Sequence, residues 1–105
     1  LLYGRRTFRW TPAFDPGGQY LFELVFWEDG QSAMQHGRSP VGAKAETSIT
    51  VDLDRAAATL GLRTELTYKW GVLLVDARDV RKRIRQLSPE QPFQLQLVGD
   101  GSATD

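Results

Sequence analysis

The stretch that most constrains the fold is residues 62–76, LRTELTYKWGVLLVD. From Tyr68 onward it alternates: Tyr68, Trp70, Val72 and Leu74 fall on one side of an extended chain, and Lys69, Gly71, Leu73 and Val75 on the other. A period of two marks a strand with at least one buried face. β-Branched and aromatic side chains favour the same conformation. The pattern predicts a central strand over 66–76, with the remaining segments packed upon it.

Those segments repeat the signal. Residues 5–11 place Phe8 and Trp10 on one face with Arg9 opposite, which predicts a strand with Trp10 as the large ring of the core. Residues 1–3 read as the remnant of an earlier edge strand. In 12–19, Asp15-Pro16-Gly17-Gly18 is turn chemistry, one fixed φ followed by two residues tolerant of positive φ. Phe14 inside that loop is either a lid over the end of the core or an exposed contact residue. In 20–28, Tyr20, Phe22, Leu24 and Phe26 form an apolar face, while Leu21, Glu23, Val25 and Trp27 form a half-apolar one. That second face calls for a cover, whether a loop, further chain or a neighbouring domain.

Asp29-Gly30 signals a turn, and 31–44 is polar, with one short edge strand expected near 33–36, before Pro40. Ile49, Val51 and Leu53 alternate with Ser48, Thr50 and Asp52, a strand with a wet face. Residues 54–60 read as a short helical connection capped by Asp54 and ended near Gly61. Eight residues at 80–87 fit either a strand or a helix; the tight link from Asp76 favours a strand in a hairpin, with a bulge at Ser88-Pro89. Phe93, Leu95 and Leu97 alternate, so 92–98 reads as the last strand and 99–105 as a flexible tail or linker. Short strands, turn signals and little helix make an all-β sandwich or barrel pattern.

A chain of 105 residues has room for one core, here one domain over 1–98. Acidic and basic residues balance at 13 each, so no global field steers a polyanion to it. No apolar run approaches the roughly 20 residues that span a bilayer. With no cysteine there is no disulfide framework and no thiol nucleophile. A chain that starts at Leu1 rather than Met reads as a piece of a longer protein.

FRWTP at 8–12, YLFELVFWE at 20–28, TSITVDL at 47–53 and LRTELTYKWGVLLVD at 62–76 together resemble a fibronectin type III or related immunoglobulin-like domain. Trp10 matches the family's core tryptophan. Leu62, six residues before Tyr68, matches the leucine and tyrosine of its tyrosine corner. The resemblance implies a two-sheet antiparallel β-sandwich of seven strands, here with an incomplete first strand. It also implies a spacer or a module that contacts proteins or glycans. The chain departs from the family in a longer connection at 54–61 and in the break at Ser88-Pro89.

Catalytic and metal readings find little in the residues. His36 stands alone in a polar stretch, so a zinc site would need carboxylates or a partner chain, and a Ser-His-Asp triad would have to use it as base. No Gly-x-Ser-x-Gly turn and no phosphate-cradling glycine loop occurs. Asp52 and Asp54, with Asp76 and Asp79 elsewhere, read as strand, cap and turn residues before they read as a calcium or glycosidase pair. Arg81, Arg83 and Arg85 share one face if 80–87 is a strand. That stripe is either a contact for acidic polymers or charge that keeps an edge from pairing.

The expectation is therefore a non-enzymatic spacer or protein-interaction module of a larger bacterial, extracytoplasmic protein. It takes no cofactor and no metal, recognises no specific nucleic acid and spans no membrane. Its partners are other domains of the same chain or another protein. The alternative is a carbohydrate-binding accessory domain with Trp27, Tyr3 or Phe14 as the stacking platform. Candidate ligand contacts are Phe14, Trp27, Arg81, Arg83 and Arg85.

Overall fold

The computed structural model describes residues 2–12, 15–87 and 90–96. In chain order the elements are β1 (Arg5–Arg9), β2 (Tyr20–Glu28), α1 (Ala33–His36), β3 (Ala43–Lys44), β4 (Ser48–Asp52), α2 (Leu53–Leu60), β5 (Tyr68–Asp76), β6 (Arg83–Gln86) and β7 (Gln91–Phe93). They form two antiparallel sheets. One is the pair β1–β4; the other runs β3-β2-β5-β6, with β7 also on β5. β2 and β5 pair along their whole length, from Tyr20 opposite Asp76 to Glu28 opposite Tyr68. β7 lies beside the first residues of β5 and β6 beside the later ones, so β5 is the central strand that its alternation predicts.

The alternation decides what each face meets. Phe22, Leu24, Phe26, Tyr68, Trp70, Val72 and Leu74 point toward the small sheet, whose Phe8, Ile49 and Val51 point back. Phe8 meets Phe26 at 5.5 Å and Trp70 edge-on at 5.0 Å, and Phe26 meets Phe93 at 5.2 Å. Tilted and edge-on ring pairs of this kind add to the area they bury. Among the described residues the small sheet has two strands, which do not cover a five-stranded sheet. Trp10 and Trp70 are consequently half-buried rather than sealed.

The opposite face of the large sheet carries Val25, Trp27, Leu73 and Val75, and α1 closes it with Ala33 and Met34. A short edge strand is what the sequence predicts at 33–36; the chain instead makes one helical turn, bracketed by Ser32 and Gly37. The reason is the face beneath. A strand at the sheet's edge would leave Trp27 and Val75 wet, whereas a turn of helix laid across them removes them from water. Gly37 allows the close approach: a Cβ there would stand 2.5 Å from the Ala33 carbonyl oxygen and 2.9 Å from Val25 Cβ.

β4 runs without a loop into α2, so the cap is Asp52, the last strand residue, and not Asp54 as expected. Its Oδ1 accepts from the Arg55 N–H at 3.2 Å. Asp54 falls in the first helical turn, where a carboxylate meets the positive end of the helix dipole. Gly61 ends the helix in the left-handed region at φ 71°, and the Leu62 N–H closes onto the Ala57 carbonyl at 2.9 Å. This brings the corner together. Tyr68 is buried, and its hydroxyl accepts from the Arg63 N–H at 2.7 Å, with Leu62 packed in the same core. Tyr68→Phe is expected to cost roughly 0.5–1.5 kcal/mol, the net worth of one such bond. Urea unfolding of the two proteins measures it, and an unchanged midpoint would mean that the corner does not stabilise the fold.

At its start the chain makes one parallel bridge to the far end. The Leu2 N–H donates to Gln94 O and the Gln96 N–H to Leu2 O, both at 2.8 Å. The remnant strand expected at 1–3 thus joins the chain's last described segment. Within 80–87, which is expected to be a strand throughout, only Arg83–Gln86 form one, β6; Val80 and Arg81 belong to the turn over 76–82 that leads into it. The bulge expected at Ser88-Pro89, the end of the last strand at 97–98 and the tail at 99–105 lie outside the described residues.

Candidate interaction surface

The residues picked out from the sequence do not form one site. Trp27 is 1% exposed beneath α1 and offers no ring to a ligand. Tyr3 is 48% exposed, but the Arg6 guanidinium already lies over its ring at 4.9 Å, a cation–π contact. Phe14 lies outside the described residues.

The arginines separate. Arg81 is in the turn before β6, next to Asp79. Arg83 is opposite Val75 and Arg85 opposite Leu74, with the register shift between them, so Ile84 is the extra residue of a bulge. Cross-strand partners share a face. Arg83 therefore points to the α1 side with Val75, and Arg85 to the side of Leu74 that faces the small sheet. The single stripe expected from period-two spacing does not exist, because a bulge resets the period.

Arg83 is a structural clamp. Its Nε is 3.0 Å from Glu23 Oε1, and its guanidinium donates to the carbonyls of Met34 at 3.1 Å and Gly37 at 2.7 Å, with Ala33 O at 3.5 Å. The Met34 and Gly37 carbonyls lie at the end of α1, where carbonyls lack an intrahelical donor, whereas the Ala33 carbonyl also accepts from the Gly37 N–H. The expected behaviour toward acidic polymers follows. Binding to heparin, single- and double-stranded DNA or RNA should be weak and lost by physiological salt. A salt titration against the Arg81→Ser, Arg85→Ser double variant checks it. Sub-micromolar binding that survives physiological salt and disappears in that variant would contradict it.

The acidic residues also have local duties. Asp76 Oδ1 accepts from the Arg78 N–H at 2.8 Å, and Asp79 Oδ1 from the Arg81 N–H at 3.2 Å. Lys69 joins Asp29 at 3.3 Å and Glu90 at 2.7 Å, and those carboxylates, Glu90 first, hold its ammonium above the usual lysine range. His36 is the exposed last residue of α1. Among the described residues, no three of His, Asp and Glu converge as a metal site would require.

What sequence reasoning missed is the edge of β1. The Leu53 N–H donates to Gly4 O at 2.9 Å and the Trp10 N–H to Thr47 O at 3.1 Å. In an antiparallel ladder alternate residues turn the same way. Residues 4, 6, 8 and 10 thus turn their backbone groups to β4, and Arg5, Thr7 and Arg9 turn theirs away. β1 pairs with β4 alone, so among the described residues that outer edge has no backbone partner. At its end a cleft of about 190 Å³ opens between Arg9, Trp10, Trp70, Leu87 and Gln91. Trp10 Nε1, and Arg6 Nε on the inward side of β1, are buried without a hydrogen-bond partner among the described residues.

Compared with known proteins, the chain matches no family model, no curated protein and no solved structure. Among the described residues, no helix is long and apolar enough to cross a membrane.

Proposed function

We propose that the chain is a fibronectin type III-like sandwich, serving as a non-catalytic protein-interaction or spacer module of a larger bacterial, extracytoplasmic protein. The observation that carries the family likeness is the corner. The buried Tyr68 hydroxyl accepts from the backbone five residues upstream, as the tyrosine corner of such sandwiches does. Leu62 buried beside it and Trp10 packed edge-on to Phe22 at 6.0 Å support the same reading. Fold likeness transfers function by analogy only, so the choice of role rests on surfaces. A glycan platform needs a flat exposed ring, and the strongest candidate, Trp27, lies under α1. The cleft by Trp10, Trp70 and Leu87, beside a strand edge with no backbone partner among the described residues, suits a polypeptide instead.

The test is a glycan array probed with the isolated domain. The proposal predicts no retained glycan. Retention that Tyr3→Ala abolishes would overturn it in favour of the carbohydrate-binding alternative.

A further inference from the structure

We infer that Asp29-Gly30 is a site of spontaneous backbone isomerisation, where aspartate closes to a succinimide and reopens as isoaspartate, and that the product loosens α1 over Trp27.

The step needs no co-reactant but water. The Gly30 amide nitrogen attacks Cγ of the Asp29 side chain in its carboxylic acid form. A C–N bond forms, the C–OH bond breaks, and the hydroxyl leaves with the amide proton as one water. Water then adds back at either carbonyl of the ring. One opening restores aspartate; the other carries the main chain through Cβ and Cγ. Nothing is oxidised or reduced.

Two conditions decide where this happens. The next residue's nitrogen must reach Cγ, and the carboxyl must be free to turn toward it. Of the described aspartates, Asp29 alone precedes a glycine. Asp15 precedes Pro16, whose nitrogen carries no proton. After Asp52, Asp54 and Asp76 the next N–H is already engaged. Leu53 donates to Gly4 O at 2.9 Å, Arg55 to Asp52 Oδ1 at 3.2 Å, and Ala77 to Gln19 O at 3.0 Å. Asp79 precedes the β-branched Val80, and its carboxylate is turned to the Arg81 N–H at 3.2 Å. Gly30 differs on each count. Its N–H has no acceptor among the described residues. It has no Cβ to hinder the attack, and at φ 96° it occupies a position open to solvent. The chain contains no asparagine, the faster source of the same ring.

Lys69 restrains the reaction. Its Nζ is 3.3 Å from Asp29 Oδ1, and the Asp29 side chain is otherwise 56% exposed. The turn itself sets how the chain leaves β2 and enters α1. The Gln31 N–H donates to Glu28 O at 3.1 Å and the Asp29 N–H to Thr67 O at 3.0 Å. Isoaspartate lengthens the backbone between these two anchors by one methylene and moves the carboxylate off Lys69. Both changes act on the residues that hold α1 in place over Trp27.

The experiment incubates the folded protein at physiological temperature and maps isoaspartate by mass spectrometry of its peptides. Isoaspartate is expected at residue 29, accumulating faster than at any other described aspartate. Asp29→Asn should lose ammonia at the same position, faster still, because its amide closes the same ring. Lys69→Met should speed isomerisation of the parent sequence. The isomerised fraction should exchange its Gly37 amide about tenfold faster than fresh protein, as a local opening of α1 requires; incubated Asp29→Ser should not. Isoaspartate that forms in urea-unfolded protein but not in the folded one overturns the inference, as does an Asp29→Asn protein that keeps its amide. A Lys69→Met protein that isomerises at the parent's rate overturns the restraint. Unchanged Gly37 exchange in the isomerised fraction overturns the effect on α1.

Discussion

Trp27→Ala is expected to destabilise the domain by about 3–5 kcal/mol, the usual cost of truncating a buried large aromatic. The ring is 1% exposed and packs with Val25, Leu73, Val75 and Ala33. Its removal leaves a cavity between sheet and helix that one helical turn cannot collapse to fill. Trp27→Phe should cost far less, because it keeps most of the ring volume and deletes an indole N–H that is buried without a partner. Urea denaturation of the three proteins measures both effects. A Trp27→Ala protein as stable as the parent would mean that the ring is not buried, and would reopen the stacking-platform reading.

Arg83→Met is expected to cost about 2–4 kcal/mol, although arginine is ordinarily a surface residue. Methionine keeps much of the stem and loses the guanidinium. The loss strands Glu23, whose side chain is 14% exposed, and leaves the carbonyls of Met34 and Gly37 without their donor. Removing one partner of a largely buried pair costs more than the pair itself contributes. Adding Glu23→Leu should therefore recover part of the loss; the remainder belongs to the carbonyls at the end of α1. Arg81→Ser, at an exposed turn position, should change stability by less than about 0.5 kcal/mol. Equal effects at Arg81 and Arg83 would refute the clamp.

These two residues show where sequence reading succeeds and where it stops. Period-two alternation identifies β2, β4 and β5 and assigns Phe22, Leu24, Phe26 and Tyr68 to the inner face, because a strand with a dry face leaves a strict pattern. The corner was legible as well, since it depends on the local spacing of Leu62 and Tyr68. Trp27 carries the same alternation, but a period tells only that a face is apolar, not what covers it. The cover, α1, is too short to show helical periodicity, and only Ser32 and Gly37 mark it. The arginines failed for a related reason. Their shared face assumed an unbroken period, and a bulge at Ile84 is invisible in composition. The β1 edge was unreadable because openness is a property of topology: RRTFR looks the same whether or not another strand lies beside it.

The domain has two sheets, with the outer face of the large one closed by α1 and the small one, among the described residues, paired only between β1 and β4. Residue-resolved amide hydrogen exchange of the isolated domain tests this most directly, because protection follows hydrogen bonding and burial. The slowest exchange is expected across the paired centre of β2 and β5, at Val25, Gly71 and Leu73. The Gly37 amide, which donates to Ala33 O at 2.9 Å, should be protected. Along β1 the record should alternate, with Arg6, Phe8 and Trp10 protected and Arg5, Thr7 and Arg9 exchanging fast. Uniform protection from Arg5 to Trp10, or rapid exchange at Gly37, would contradict this arrangement.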